Sequence, residues 1–169
     1  SIEFVLSLGD SGSDGCSSFT LDQRALYDLN SSGKLENISI AECFILSRYN
    51  MQCPTNGPYY SLNDGREPDW PKGLQRWIKD AKRGHTPSKT VFSSRYICSL
   101  CADVHRTLIK GGWAGNPRPH LRLLYEASLL AHVVEACGGK GSNGVQNLLD
   151  IEPLGLHDRT CVFIGSLND

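Results

Sequence analysis

The sequence has no excess of charge of either sign and no long hydrophobic run. Its formal net charge is −1 at pH 7, and 21% of its residues are charged. A balanced surface of this kind offers no strongly basic region to attract nucleic acid or an anionic membrane. The hydrophobic runs are all shorter than the roughly 18 residues that a membrane-spanning helix requires. We therefore expect neither a nucleic-acid partner nor a membrane partner.

The sequence also lacks the pattern of a secretory signal and the cysteine spacing of a disulfide framework. Residues 2–8, IEFVLSL, are hydrophobic but lack a basic flank and a cleavage site. The seven cysteines are an odd number in a chain that is too long for a small disulfide scaffold. We expect a reducing, cytoplasmic location. Because the chain begins at Ser1 and soon enters a predicted strand, we also expect a piece of a longer protein.

Hydrophobic residues make up 40% of the 169 residues, which is enough for one domain with a real core. Short hydrophobic runs alternate with segments of helical period. Such alternation is typical of a layered α/β domain. Residues 23–41 are polar and rich in turn residues, and we interpret them as a surface excursion. The predicted strands are 2–8, 17–22, 42–47, 95–99 and 161–166, and the predicted helices are 68–84, 102–110 and 121–139.

The longest predicted helix is 121–139. It contains no proline, and its only glycines are the final pair, Gly138 and Gly139, a pattern that ends a helix. Hydrophobic residues occupy nearly all of its circumference, which predicts a helix buried between layers. The preceding residues, 113–120, contain two prolines and are predicted to form a loop.

Within this predicted helix, Arg122 and Glu126 are four residues apart and therefore share a face. A carboxylate on a buried helix must be paired, protonated or bound to a metal, because burying it bare carries a large free-energy cost. Two interpretations remain open at this point. Glu126 either forms an ion pair with Arg122 or is a ligand for a metal or a substrate.

Cys98 and Cys101 form a CxxC pattern ahead of the predicted helix 102–110. No second cysteine pair has the spacing that would complete a zinc site. A redox-active pair is a second interpretation. The preferred interpretation is two small thiols buried at a strand-to-helix junction.

Four segments in the later part of the chain are distinctive. They are YSLNDG at 60–65, RYICSLCADVHRTLIKGG at 95–112, LRLLYE at 121–126 and LLDIEPLGLHDRTCVFIGS at 148–166. The first resembles YSLNEG, and the second resembles RYVGSMVADVHRTLVYGG, of the class I fructose-1,6-bisphosphatases. The other two are similar to a helix start and the closing segment in the C-terminal half of that family. In order and spacing, the resemblance covers residues 43–169, and the ending DRTxVxxGS is shared with sedoheptulose-1,7-bisphosphatases.

The resemblance implies a three-layer helix–sheet–helix sandwich with a mixed sheet of about five strands. It identifies 1–169 as the C-terminal sugar-phosphate-binding domain of a sugar bisphosphatase, with 23–41 as a surface insertion. The family's N-terminal metal-binding domain carries a DPLDGSSN-type stretch. The chain contains no Asp-Pro-x-Asp-Gly sequence, so that domain is absent from it.

The activity that the resemblance implies is hydrolysis of the 1-phosphate of fructose 1,6-bisphosphate to give fructose 6-phosphate. In the family, two or three magnesium ions assist, and Glu126 matches the one metal ligand found in this half. One carboxylate cannot hold these ions, so we expect the chain alone to be inactive and to need its own N-terminal domain. The family is oligomeric, commonly tetrameric. A sedoheptulose-1,7-bisphosphatase and a non-catalytic regulatory or scaffolding relative are the alternatives.

On the substrate side, the resemblance places Asn63, Arg95, Tyr96 and the backbone at Leu100 around the sugar bisphosphate. The family residue that matches Arg95 reaches into the site of a neighbouring subunit, which implies a homo-oligomer. Amide, guanidinium and phenol groups are good donors to phosphate and sugar oxygens.

Three positions depart from the family pattern. Arg66 and Asn116 each replace a tyrosine, and His120 replaces a lysine, so two of the family's phosphate donors are altered. We include all three among the substrate-binding candidates, because Arg66 and His120, together with Arg118, can restore positive charge.

Overall fold

The computed structural model describes residues 3–7, 15–22, 25–29, 32–33, 35–40 and 43–169. Its main body is a mixed five-stranded sheet with helices on both faces, which confirms the predicted α/β sandwich. The strands are β6 (Tyr59–Ser61), β7 (Ser93–Ser94), β8 (Trp113–Arg122), β9 (Lys140–Ser142) and β10 (Arg159–Gly165). Their order in the sheet is β7-β6-β8-β10-β9.

Strand β6 is parallel to β7 and β8, whereas β10 is antiparallel to β8 and β9. Three helices cover this sheet. No helix in the described part of the chain is long and apolar enough to cross a membrane. The helices are α1 (Lys72–Ala81), α2 (Leu100–Lys110) and α3 (Ser128–Ala136).

Side chains of β10 alternate between the two faces, as a strand's geometry requires. Val162 and Ile164 are buried in a cluster with residues of α2 and α3. Phe163, between them, packs in the second cluster with Trp77 of α1 and with Trp113. The two clusters place α1 on one face of the sheet and α2 and α3 on the other.

A separate antiparallel sheet precedes this body and consists of β1 (Glu3–Ser7), β2 (Cys16–Asp22) and β5 (Cys43–Met51). These strands confirm the predictions at 2–8, 17–22 and 42–47. Within the segment 23–41, the backbone forms an antiparallel pair, β3 (Ala25–Leu29) and β4 (Leu35–Ile40). This pair was not predicted, because residues 23–41 show no clear hydrophobic period.

The predicted loop at 113–120 is wrong, because these residues belong to β8. Two prolines suggested a break, but they lie where the register between β8 and β10 shifts, between Thr160 and Val162. A residue in such a bulge needs no ladder hydrogen bond, so proline is tolerated there.

The predicted helix 121–139 is correct only in its second part. Leu121 and Arg122 end β8, a π-helical turn follows at Leu123–Ala127, and α3 then continues to Ala136. The Leu123 N–H donates to the carbonyl oxygen of Asp158 at 2.7 Å, which keeps the chain extended up to this point. Leu129 is 60% exposed, so α3 is not buried on all sides in the described part of the chain.

Strand β6 was not predicted, because prolines and glycines surround it. It has only three residues, and hydrogen bonds from β7 and β8 on its two sides sustain it. The strand predicted at 95–99 is also misplaced, since β7 is limited to Ser93 and Ser94. Cys98 has φ +65°, which no extended strand can accommodate.

Candidate functional site

A cavity of about 360 Å³ lies beside β6, β8 and the beginning of α2. Three separate segments contribute residues to its lining. Asn63 follows β6, Leu100 begins α2, and β8 supplies residues from its bulged part. The cavity is lined by six of the seven predicted substrate-binding residues: Asn63, Arg66, Tyr96, Leu100, Asn116 and His120.

Asn63 is held by a small polar network next to it. The Tyr60 hydroxyl donates to Asp64 Oδ2 at 2.9 Å, and Lys82 Nζ lies 3.5 Å from the same oxygen. Tyr60 is fully buried, and this burial raises the pKa of its phenol. Because Asp64 is fixed at the start of the 3₁₀ turn Asp64–Asp69, the position of the preceding Asn63 is fixed as well.

Tyr96 faces Asn63 across the cavity wall. The neighbouring Cys98 thiol, with a smaller contribution from burial, raises the pKa of the Tyr96 phenol, and the Asn63 side chain partly opposes this shift. A raised pKa means that the Tyr96 phenol is held more firmly in its neutral form. At neutral pH the phenol therefore remains a hydrogen-bond donor.

Asp103, which sequence reasoning did not select, is the one carboxylate among the residues that line this cavity. Its side chain is 4% exposed and accepts hydrogen bonds from the Ile97 N–H at 3.3 Å and from Arg106 Nη1 at 3.1 Å. These contacts satisfy the charge and hold the segment from Arg95 to Ser99 against α2. An acidic residue in the first turn of a helix was the available signal.

Arg95 is the predicted residue that does not line the cavity. Its side chain points along the surface, where the guanidinium carbon lies 5.3 Å from the centre of the Tyr59 ring. Arg95 Nη1 also donates to the carbonyl oxygen of Ser94 at 2.8 Å. The backbone of Arg95 still continues the sheet, because its N–H donates to the Tyr60 carbonyl at 2.9 Å.

Glu126 lies in the π-helical turn and is not among the residues that line the cavity. Its Oε2 accepts a hydrogen bond of 2.7 Å from the Arg122 N–H, and its Oε1 is 3.9 Å from Arg122 Nη1. The Arg122–Glu126 ion pair, one of the two interpretations left open by the sequence, is therefore present but long, and the shorter contact is to the Arg122 backbone. About a third of the carboxylate side chain is exposed.

No group of three or more His, Cys, Asp or Glu side chains in the described part of the chain is arranged to hold a metal ion. Glu126 keeps one oxygen, Oε1, without a short hydrogen bond. Magnesium takes about six oxygen ligands. Glu126 fits the role of a single ligand, and the described residues do not supply a complete site.

The interpretation of Cys98 and Cys101 as buried thiols is wrong, since both are exposed. Cys98 lines the cavity mouth, and its φ of +65° is a left-handed conformation that glycine adopts most easily. The family sequence quoted above has glycine at this position. The loop therefore has a backbone conformation typical of glycine at a position that a cysteine occupies.

The sequence matches the family model described as "Fructose-1-6-bisphosphatase, C-terminal domain" over residues 53–169. It is 40% identical to the chloroplastic fructose-1,6-bisphosphatase of Pisum sativum, covering all of this chain and 38% of that protein. It is 42% identical to the class 1 fructose-1,6-bisphosphatase of Sorangium cellulosum, over 75% of this chain and 38% of the relative.

Solved structures give the same result. The fold matches the apo form of Leishmania major fructose-1,6-bisphosphatase with a TM-score of 0.78 and 33% identity, over 97% of this chain and 47% of that one. The holo form of the same enzyme matches with a TM-score of 0.74, over 91% of this chain and 44% of that one. The chain thus spans less than half the length of each of these relatives.

Proposed function

Because the chain belongs to the fructose-1,6-bisphosphatase C-terminal domain family, we propose that it is the sugar-phosphate-binding half of a fructose-1,6-bisphosphatase. Joined to an N-terminal half, it would hydrolyse the 1-phosphate of fructose 1,6-bisphosphate and release fructose 6-phosphate. The observation that carries the proposal is the cavity that gathers Asn63, Tyr96 and His120 from three distant segments of the chain.

The chemistry of the cavity suits a phosphorylated sugar. Amide and phenol donors can bind hydroxyl and phosphate oxygens, and arginine binds phosphate through two parallel hydrogen bonds. The single lining carboxylate, Asp103, is already engaged by Arg106 and therefore repels an anion less than a bare carboxylate would. The volume of about 360 Å³ lies within the usual range of small-ligand pockets.

In the proposed reaction, these residues bind and orient the substrate. Asn63, Tyr96 and His120 hold the phosphate that is retained, which places the other end of the sugar toward the N-terminal half. Glu126 would supply one oxygen ligand to the magnesium site, and the remaining ligands would come from that half. The chemistry that bound magnesium would supply is activation of a water molecule and neutralisation of the charge that develops on the transferred phosphate.

A homo-oligomer is part of the same proposal. The Arg95 side chain is exposed and directed away from the cavity of its own chain. We assign it to the cavity of a neighbouring subunit, where it would add a guanidinium to the phosphate donors. A cytoplasmic location is proposed as well, and cell fractionation with an antibody against the protein would test it.

The test is magnesium-dependent release of phosphate by the full-length protein. We expect fructose 1,6-bisphosphate to be hydrolysed, with activity lost on addition of a chelator and restored by magnesium. Sedoheptulose 1,7-bisphosphate is the comparison substrate, because Arg66, Asn116 and His120 alter the phosphate donors. A clear preference for the seven-carbon substrate would move the assignment to that enzyme, and no turnover of either would overturn the enzymatic proposal.

A further inference from the structure

Arg118 lies between two prolines in the bulged part of β8, where the backbone is fixed on both sides. The Cys161 thiol donates to the carbonyl oxygen of Pro117 at 3.1 Å. Arg159 Nη1 donates to the carbonyl oxygen of His120 at 2.6 Å. Each proline also limits its own φ to about −65°. The segment that carries Arg118 along the cavity wall is therefore rigid.

The side chain of Asn116 contributes to this rigidity. Its Oδ1 accepts a hydrogen bond of 3.1 Å from the backbone N–H of Arg118. An asparagine oxygen that binds the N–H two residues later forms an Asx turn, which fixes the direction of the chain. The Asn116 oxygen is thus occupied by the backbone, although the residue lines the cavity.

Arg118 differs from the other charged residues that line the cavity. Arg66 forms an ion pair of 3.3 Å with Asp69, and Asp103 is paired with Arg106. In the described part of the chain, the half-buried residue Arg118 has no ion-pair partner for its guanidinium. It is a permanent charge on a rigid segment at the wall of a pocket that holds polar donors.

We propose that Arg118 is the principal phosphate-binding cation of this cavity and that Asn116 is the residue that positions it. The ligand class is a phosphate monoester, which can present two of its three terminal oxygens to the two parallel N–H groups of a guanidinium. This inference rests on the proposed function and adds to it a residue that determines affinity. Asn116, in this arrangement, acts through Arg118 and makes no direct contact with the phosphate.

The first experiment measures the Kd of fructose 6-phosphate and of inorganic phosphate for the full-length protein by calorimetry. Arg118→Gln removes the charge and should weaken both ligands about 10- to 100-fold, the usual effect of losing a hydrogen bond to a charged group. Arg118→Lys should recover part of the loss, because it keeps the charge but not the paired donors. Arg76→Gln is the matched control, since Arg76 is exposed on α1 and lies outside the cavity.

The second experiment tests the positioning role of Asn116. Asn116→Ala should weaken fructose 6-phosphate binding in the wild type but have a much smaller effect in the Arg118→Gln background, because the residue that it positions is already gone. A residue that binds the ligand directly would give the same loss in both backgrounds. Equal losses would therefore overturn the positioning role. Asn116→Ser, which retains a side-chain acceptor, should restore part of the affinity.

The outcomes distinguish failure of the role assigned to Arg118 from failure of the proposed function. If the wild type binds fructose 6-phosphate and Arg118→Gln behaves like Arg76→Gln, the role of Arg118 is wrong and the proposed function stands. If the wild type binds neither fructose 6-phosphate nor inorganic phosphate, both are wrong. A loss of affinity in Arg118→Gln that Arg76→Gln does not show, in a protein with an unchanged melting temperature, supports the inference.

Discussion

The Arg122 N–H donates a hydrogen bond of 2.7 Å to Glu126 Oε2 at the point where β8 ends. This contact fixes one carboxylate oxygen and leaves Oε1 at 3.9 Å from the Arg122 guanidinium. A glutamine at 126 would retain an oxygen for the same N–H, so the contact does not depend on the negative charge. The charge is therefore available for another purpose, which we propose is magnesium binding.

Glu126→Gln should lower the phosphatase rate of the full-length protein by on the order of 100-fold and leave the melting temperature nearly unchanged. The substitution keeps the volume and removes the charge that a metal ligand needs. Phosphate release and a thermal melt are measured side by side. Glu152→Gln, at an exposed position, is the control for loss of a carboxylate. A variant that loses stability but keeps its rate would show that Glu126 is structural.

His120 lines the cavity at a position where the resemblance places a lysine. His120→Lys puts a permanent positive charge at this position, so it should strengthen the binding of fructose 6-phosphate.

Calorimetry at a single pH provides the measurement. The other charged groups at the cavity, Arg66, Arg118 and Asp103, are the same in both proteins. Equal Kd values for the wild type and His120→Lys would remove His120 from the phosphate site.

The isolated chain of 169 residues should fold but release no phosphate from fructose 1,6-bisphosphate in the presence of magnesium. The reason is that its described residues contain no cluster of metal-ligating side chains. Circular dichroism establishes folding, and a phosphate-release assay establishes activity. Turnover by the purified piece that a chelator abolishes would refute this expectation.

Leu148→Ala should destabilise the protein by about 2–5 kcal/mol, because Leu148 is fully buried between α3 and the sheet. Leu154→Ala is the matched control. Leu154 is 96% exposed, so the same truncation should change the free energy of unfolding by less than about 0.5 kcal/mol. Urea unfolding measures both. Equal midpoints for the two variants would contradict the packing of this core.

The sequence was sufficient for elements whose signals are local. Helix α2 and strand β10 follow directly from hydrophobic spacing and from the glycines that end α2. Strand β8 could not be predicted, since its prolines are tolerated only because of a bulge against β10. Such pairing depends on residues about 40 positions away, and no local pattern encodes it.

In the candidate site, too, the sequence predicted some residues and missed others. Motif resemblance selected Asn63, Tyr96 and His120, and the fold brings all three to one cavity. The structural role of Asp103 was missed, because its partner Ile97 becomes a neighbour only when the loop after β7 folds back on α2. The exposure of Cys98 was also missed, since it follows from a backbone conformation that the sequence does not reveal.

The central claim is that this cavity binds a sugar phosphate, and removal of one hydroxyl tests it most directly. We would measure the Kd of fructose 6-phosphate for the full-length wild type, for Tyr96→Phe and for Tyr49→Phe. Tyr49 is 80% exposed on β5 and lies outside the cavity, so it provides the same chemical change elsewhere. We predict binding by the wild type, a loss of about tenfold in Tyr96→Phe and no change in Tyr49→Phe. No binding by the wild type, or equal Kd values for all three proteins, would contradict the claim.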